Sequence, residues 1–177
     1  MIDIISSSIR LGKLLKEHRE LKSISDFFSN IVDEKGNVNV SKFSGRMVGP
    51  GGFINITQNA KTVIFGGTFT AGKMKCEIAD GKLNIIEDAP GVKFIKNVEQ
   101  ITYSAEYGVE SGQKVYYLTE RAVFQLSPEG LELIEIAPGV DLQKHILDKM
   151  EFTPVMKDVK VMDPAIFTDV LMNLEVK

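Results

Sequence analysis

Gly49-Pro50-Gly51-Gly52 is the stretch whose residue types most directly suggest chemistry. Glycine has no Cβ, so a run of it lets main-chain N–H groups approach a ligand closely, and a helix beginning there would add the positive end of its dipole. Such a place suits an oxygen that becomes negative during a reaction. The same letters also make an ordinary strand-to-helix turn, and residue types alone leave both readings open. Gln58, Asn59 and Lys61 follow the loop and supply polar groups beside it. Cys76 is the single cysteine, and His18 and His145 are the only histidines; with no CxxC there is no ligand set at metal spacing. Cys76 falls in an expected strand and reads as a small packed residue. His18 and His145 read as boundary residues of amphipathic helices, with no serine or carboxylate motif beside them.

The elements that must carry these residues are legible from periodicity. Leu11, Leu14, Leu15, His18 and Leu21 share one face of an expected helix over residues 9–22. A turn at Lys35-Gly36-Asn37 precedes alternating Val38, Val40 and Phe43, an expected strand. Gly45–Gly52 is expected to be loop, Phe53–Ala60 helix, and Thr62–Phe69 a buried strand ending at Gly66-Gly67. Met74–Ile78 and Leu83–Ile86 flank Asp80-Gly81, the dipeptide of a type I′ hairpin. Val115–Leu118, Ala122–Leu126 and Leu131–Ile136 read as strands, and Asp141 caps a short helix through Met150. Beyond Met150, Pro154 and Asp163-Pro164 suggest an arm across the surface. The expected divisions are a leader over residues 1–30, a domain over 31–150 and an arm over 151–177.

Composition bounds the function classes. The chain has 177 residues, 44% hydrophobic and 25% charged, enough for one domain with a sizeable core. A net charge of -3 and a pI near 5.5 supply no cationic surface for nucleic acid. Met1–Ile5 lacks a basic leader and no run approaches a membrane span, so a cytoplasmic protein without a signal peptide is expected.

Several segments together resemble the class I, glutamate-dependent acetate/propionate/acetoacetate CoA-transferase family. They are Gly36-Asn-Val-Asn-Val40, Gly49-Pro-Gly-Gly-Phe-Ile-Asn-Ile-Thr-Gln-Asn-Ala-Lys61, Gly67-Thr-Phe-Thr-Ala-Gly72, Val98-Glu-Gln-Ile-Thr102, Thr119-Glu-Arg-Ala-Val-Phe124 and Gly130-Leu-Glu-Leu-Ile-Glu-Ile-Ala-Pro-Gly139. The likeness runs from Asp33 to Asp163, the end of the family's β-type half. It implies an α/β fold: an open CoA-transferase-like (NagB/RpiA-type) sheet, truncated on its N-terminal side, with an added antiparallel hairpin region.

The resemblance further implies that CoA and acyl-CoA are substrates and that a glutamate attacks the thioester as a covalent nucleophile. It implies that Gly49, Gly51 and Gly52 line the oxyanion site, and that Gln58, Asn59 and Lys61 meet the CoA phosphates or ribose. The family's Glu-(Asn/Ser)-Gly motif, which should precede the glycine loop, has no match here. Glu110-Ser111-Gly112 has the right letters but follows the loop, where a hairpin turn is expected, so Glu110 is set aside and no catalytic residue is assigned. A transferase piece inactive alone, completed by a second polypeptide, is the expected function; a folded remnant that binds CoA weakly or serves a structural role is the alternative. A homo-oligomer is expected.

Overall fold

The structure, a computed structural model, describes residues 24–26 and 31–168; the expected helix over 9–22, with His18, lies outside them. A six-stranded mixed sheet runs in the order Ile24–Asp26, Thr62–Gly66, Lys114–Leu118, Ala122–Ser127, Gly130–Ile136, Lys160–Val161. The first three strands are parallel, with Ile64 opposite both Ile24 and Tyr116. Lys114–Leu118, Ala122–Ser127 and Gly130–Ile136 form an antiparallel meander. Val63, Ile64 and Phe65 are all buried, the continuous apolar run expected of a strand covered on both faces.

Smaller sheets pack around this frame. Ile31–Asp33 pairs with Val38–Asn39 and with Phe94–Ile95. Lys75–Ala79 and Lys82–Glu87 form the expected hairpin, with Asp80 at φ 52° and Gly81 at φ 71°, both positive as a type I′ turn requires. The helices are short: Phe53–Gln58, Ala105–Glu110 and Leu142–His145. No helix among the described residues is long and apolar enough to cross a membrane.

Four sequence expectations need correcting. The strand from Val38 stops at Asn39, whose Oδ1 accepts from Ser41 N (3.1 Å) and Lys42 N (3.0 Å) and turns the chain. Lys42–Phe43 and Arg46–Met47 then form their own hairpin, so the loop is shorter than Gly45–Gly52. Glu110 ends a helix and does not sit in a hairpin turn. The helix capped by Asp141 breaks at Ile146, which is buried, and continues as a 3₁₀ turn over Leu147–Lys149. Beyond Met150 the chain adds Lys160–Val161 to the sheet edge and buries Met162 and Phe167.

Arg121 is the most deeply buried charged residue among those described, which also include the buried Asp33 and Lys93. Arg121 is fully buried; it donates to both Asp88 oxygens (2.6 and 2.9 Å), to Glu120 Oε1 (2.7 Å) and to the His145 carbonyl (3.2 Å), and lies 5.1 Å from the Phe69 ring centre. The guanidinium thereby ties the sheet to the segment after the 75–87 hairpin and to the Leu142–His145 helix. Burial alone would raise the pKa of the Asp88 carboxyl, but its bonds from Arg121, Thr70 and Ala89 outweigh that and hold it below the ordinary range. A depressed carboxylate stabilises the fold above its unfolded pKa of about 3.9, and that contribution is lost as pH falls through the lower folded value. The thermal midpoint should therefore fall at acid pH, and Asp88→Asn should flatten that limb. Arg121→Ala, which strands the Asp88 charge, should cost about 3–5 kcal/mol in urea unfolding.

Candidate functional site

Phe53 opens the helix that follows the glycine loop and is fully buried, its ring stacked on Phe65 of the Thr62–Gly66 strand at 5.7 Å. Phe65 also meets Tyr103 (5.1 Å) and Tyr117 (5.3 Å), so the loop is held through its first helical residue onto an aromatic layer of the sheet. Phe53 N donates to Pro50 O (3.1 Å), closing the turn, and Ile56 N donates to Gly52 O (3.0 Å). Gly51 has φ 55°, a left-handed conformation that favours glycine, and a Cβ there would meet nothing within 4 Å. Gly49, Gly51 and Gly52 are exposed, and the Gly51 and Gly52 amides have no acceptor among the described residues. The helix behind them has six residues, under two turns, so the dipole expected from sequence is small.

The other expected site residues separate. Gln58 and Asn59 end the helix, Lys61 precedes the next strand, and all three are exposed. Glu110 is exposed at the end of the Ala105–Glu110 helix and contributes nothing to the loop. Cys76 is half-buried opposite Ile85, and burial first, then the Glu120 charge, raises its thiol pKa, so it stays a thiol. His145 Nδ1 accepts from Asp141 N at 3.0 Å, a helix-end contact. Glu99 is the acid beside the hairpin leading into the loop; its carboxylate accepts from Gly45 N (2.8 Å) and pairs with Lys42 (3.7 Å).

Alongside the helix runs a groove of about 110 Å³ that the sequence did not reveal. Ile54, Thr57 and Gln58 form one wall, and Thr102, Ser104 and Tyr107 the other, with Tyr103 between them. Tyr103 O–H donates to Gln113 Oε1 (2.9 Å), and Gln113 Nε2 donates to the carbonyls of Thr57 (2.8 Å) and Ala60 (2.6 Å). Burial, assisted by Tyr107, pushes the Tyr103 phenol up to about 12, which keeps it a donor. Gly108 permits this arrangement, because a Cβ there would come within 2.1 Å of the Tyr103 hydroxyl. The available signal was Ser104, which caps its helix by accepting from Tyr107 N (3.3 Å), with Glu106 in the first turn.

No protein-family model matches the chain. It is 56% identical over 143 residues to the acetate CoA-transferase YdiF of Escherichia coli O157:H7, covering 80% of this chain and 27% of that protein. The caffeate CoA-transferase of Acetobacterium woodii is 52% identical over 144 residues, covering 78% and 27%. The chain is homologous to part of the CoA-transferases. The structure of E. coli O157:H7 YdiF as a thioester complex with CoA superposes with a TM-score of 0.82 at 52% identity, covering 86% of this chain and 30% of that one. The glutaconate CoA-transferase of Acidaminococcus fermentans, at 13% identity and TM-score 0.55, shares the fold alone. The fold is thus a partial CoA-transferase fold of mixed open sheets, hairpins and few helices, and the chain spans about 27% of the length of the curated relatives it matches.

Gln113→Ala removes the acceptor of a buried hydroxyl and the donor to two carbonyls. It should destabilise the chain by about 1–3 kcal/mol, with faster amide exchange at Ile56–Gln58.

Proposed function

We propose that the chain forms the oxyanion-holding part of a CoA-transferase active site, while the nucleophilic glutamate is supplied by a second polypeptide carrying the rest of the fold. The observation that carries this reading is the loop itself: Gly51 at φ 55° and exposed, beside amides of Gly51 and Gly52 that no described residue accepts from. Pre-aimed N–H donors of this kind stabilise charge that develops only in the reaction. In this reading, which the family likeness supports, the oxyanion is that of the tetrahedral intermediates between a short-chain acyl-CoA, a glutamyl enzyme and an acceptor carboxylate or ketoacid.

In that sequence the glutamate oxygen adds to the thioester carbonyl, and collapse expels CoA thiolate, leaving a mixed anhydride. The thiolate then adds to the glutamyl carbonyl and expels the carboxylate, giving an enzyme thioester that reacts with the acceptor acid by the reverse steps. Each addition places a negative oxygen that the loop amides can hold. Gln58, Asn59 and Lys61 stand one helix length beyond, where CoA would leave the reacting centre. The reading places the chain at the end of the family's β-type half, with the partner docking beside the glycine loop. Exposed apolar residues around the loop support this, with Met47 69%, Val48 50% and Ile56 45% exposed, a surface that a folded domain normally covers.

The chain alone should show no CoA transfer from acetyl-CoA to propionate, because the covalent route lacks its nucleophile. Turnover by the pure chain that disappears in Glu110→Ala would sink the proposal and restore Glu110. Gly51→Val forces a β-branched residue into left-handed backbone, at a cost of about 1–3 kcal/mol, in a place with open space. It should leave the chain folded while weakening CoA binding in calorimetry at least about tenfold, or 1.4 kcal/mol. CoA affinity with no activity on adding the missing half would favour the remnant reading.

A further inference from the structure

The stretch over residues 98–102 stands out in the sequence, yet the oxyanion chemistry does not use it. Two of its side chains reach the same neighbour. Thr102 Oγ1 accepts from Val40 N (3.1 Å) and shares a hydrogen bond with Ser41 Oγ (2.7 Å), at the base of the hairpin formed by Lys42–Phe43 and Arg46–Met47. Glu99, three residues earlier, accepts from Gly45 N in the hairpin's turn (2.8 Å) and pairs with Lys42 at 3.7 Å. The hairpin needs these ties. Its ladder has two residue pairs, Lys42 with Met47 and Phe43 with Arg46, and so short a two-stranded unit is marginal in water by itself. Ser44 and Gly45, at φ 50° and 75°, make its turn, and residues 44–49 are all exposed, so core packing does not hold its outer half.

The hairpin runs directly into the glycine loop. Val48 N donates to Ser41 O (2.7 Å), which closes the hairpin, and Gly49 follows. Phe53 fastens the far end of the loop, whereas the near end is tied back through Val48 and the hairpin. Pro50 has a locked φ, so a displacement of Gly49 is passed on toward Gly51. We infer that Glu99 is a positioning residue for this loop: its carboxylate holds Gly45 and Lys42, and the hairpin so held sets where Gly51 and Gly52 aim their amides. The use of those amides rests on the proposed function, while the ordering of the loop in the free chain can be measured without it. The Glu99 and Lys42 side chains are 39% and 32% exposed, so their pairing adds little to global stability. Its effect is local, on a segment that must be ordered before its donors are of use.

The measurement is ¹⁵N relaxation of the full chain with and without Glu99→Ala. In the unaltered chain Gly51 and Gly52 should show order parameters near the rigid value of about 0.85. Glu99→Ala should bring those of Gly45, Val48, Gly51 and Gly52 below about 0.6, while Val63, Ile64 and Phe65 and the urea midpoint stay as they were. Glu99→Gln, which keeps an acceptor for Gly45 N but not the charge facing Lys42, should restore most of the loop's order. CoA affinity in calorimetry should fall at least about threefold in Glu99→Ala and recover in Glu99→Gln. Unchanged loop order in a folded Glu99→Ala chain would overturn the inference. So would order lost equally in the Thr62–Gly66 strand, which would make Glu99 an ordinary structural tie. Should Glu99→Ala not fold, Glu99→Asp, one methylene shorter, carries the same test. Loop order that follows Glu99 in a chain that binds no CoA leaves the tie standing and removes the proposed function.

Discussion

The stack of Phe53 on Phe65 decides where the glycine loop stands. Phe65 belongs to a strand paired in parallel on both sides, so its ring cannot move without disturbing two ladders of main-chain bonds. Phe53 is the first residue of a helix too short to hold itself by propensity, and its burial supplies what hydrogen bonding does not. Gly49–Gly52 are therefore fastened at one end to a strand paired on both sides. Preorganised donors need such fastening, because amides that wander lose their advantage over water.

A second anchor acts away from the loop. The Asp33 carboxylate accepts from Lys35 N, Asn37 N and Asn37 Nδ2, and Asn37 Oδ1 in turn accepts from Ala105 N. Tyr117 O–H reaches the Gly36 carbonyl of the same turn. Residues about seventy positions apart are thus joined, and the wall carrying Ser104 and Tyr107 is referenced to the sheet through this turn. The loop and the groove wall use separate attachments to one aromatic layer, which keeps their relative placement fixed.

Local chemistry explains what the sequence revealed and what it concealed. Asp80-Gly81 announced its hairpin because only a positive φ at both positions closes that turn. The helix after the glycine loop was expected over Phe53–Ala60, although periodicity alone left its type open, and it ends at Gln58. The Ala105–Glu110 helix was hidden: Glu110-Ser111-Gly112 read as a hairpin turn, while the helix depends on Asn37 and on the space Gly108 leaves for Tyr103. The burial of Arg121 was not legible, because nothing local shows that Asp88, thirty-three positions earlier, meets it inside the core. The glycine loop could be found as a contiguous motif; the groove could not, being assembled from two stretches that only the fold brings together.

Gly108 carries a consequence for how this segment can change over time. Even an alanine there would collide with the Tyr103 hydroxyl at 2.1 Å, so ring, amide and wall would have to shift as a set. Neutral drift at this position is closed off while Tyr103 keeps its hydroxyl. A homologue bearing a larger residue at the equivalent place, together with phenylalanine in place of the tyrosine, would record a joint replacement that rebuilt the pocket floor.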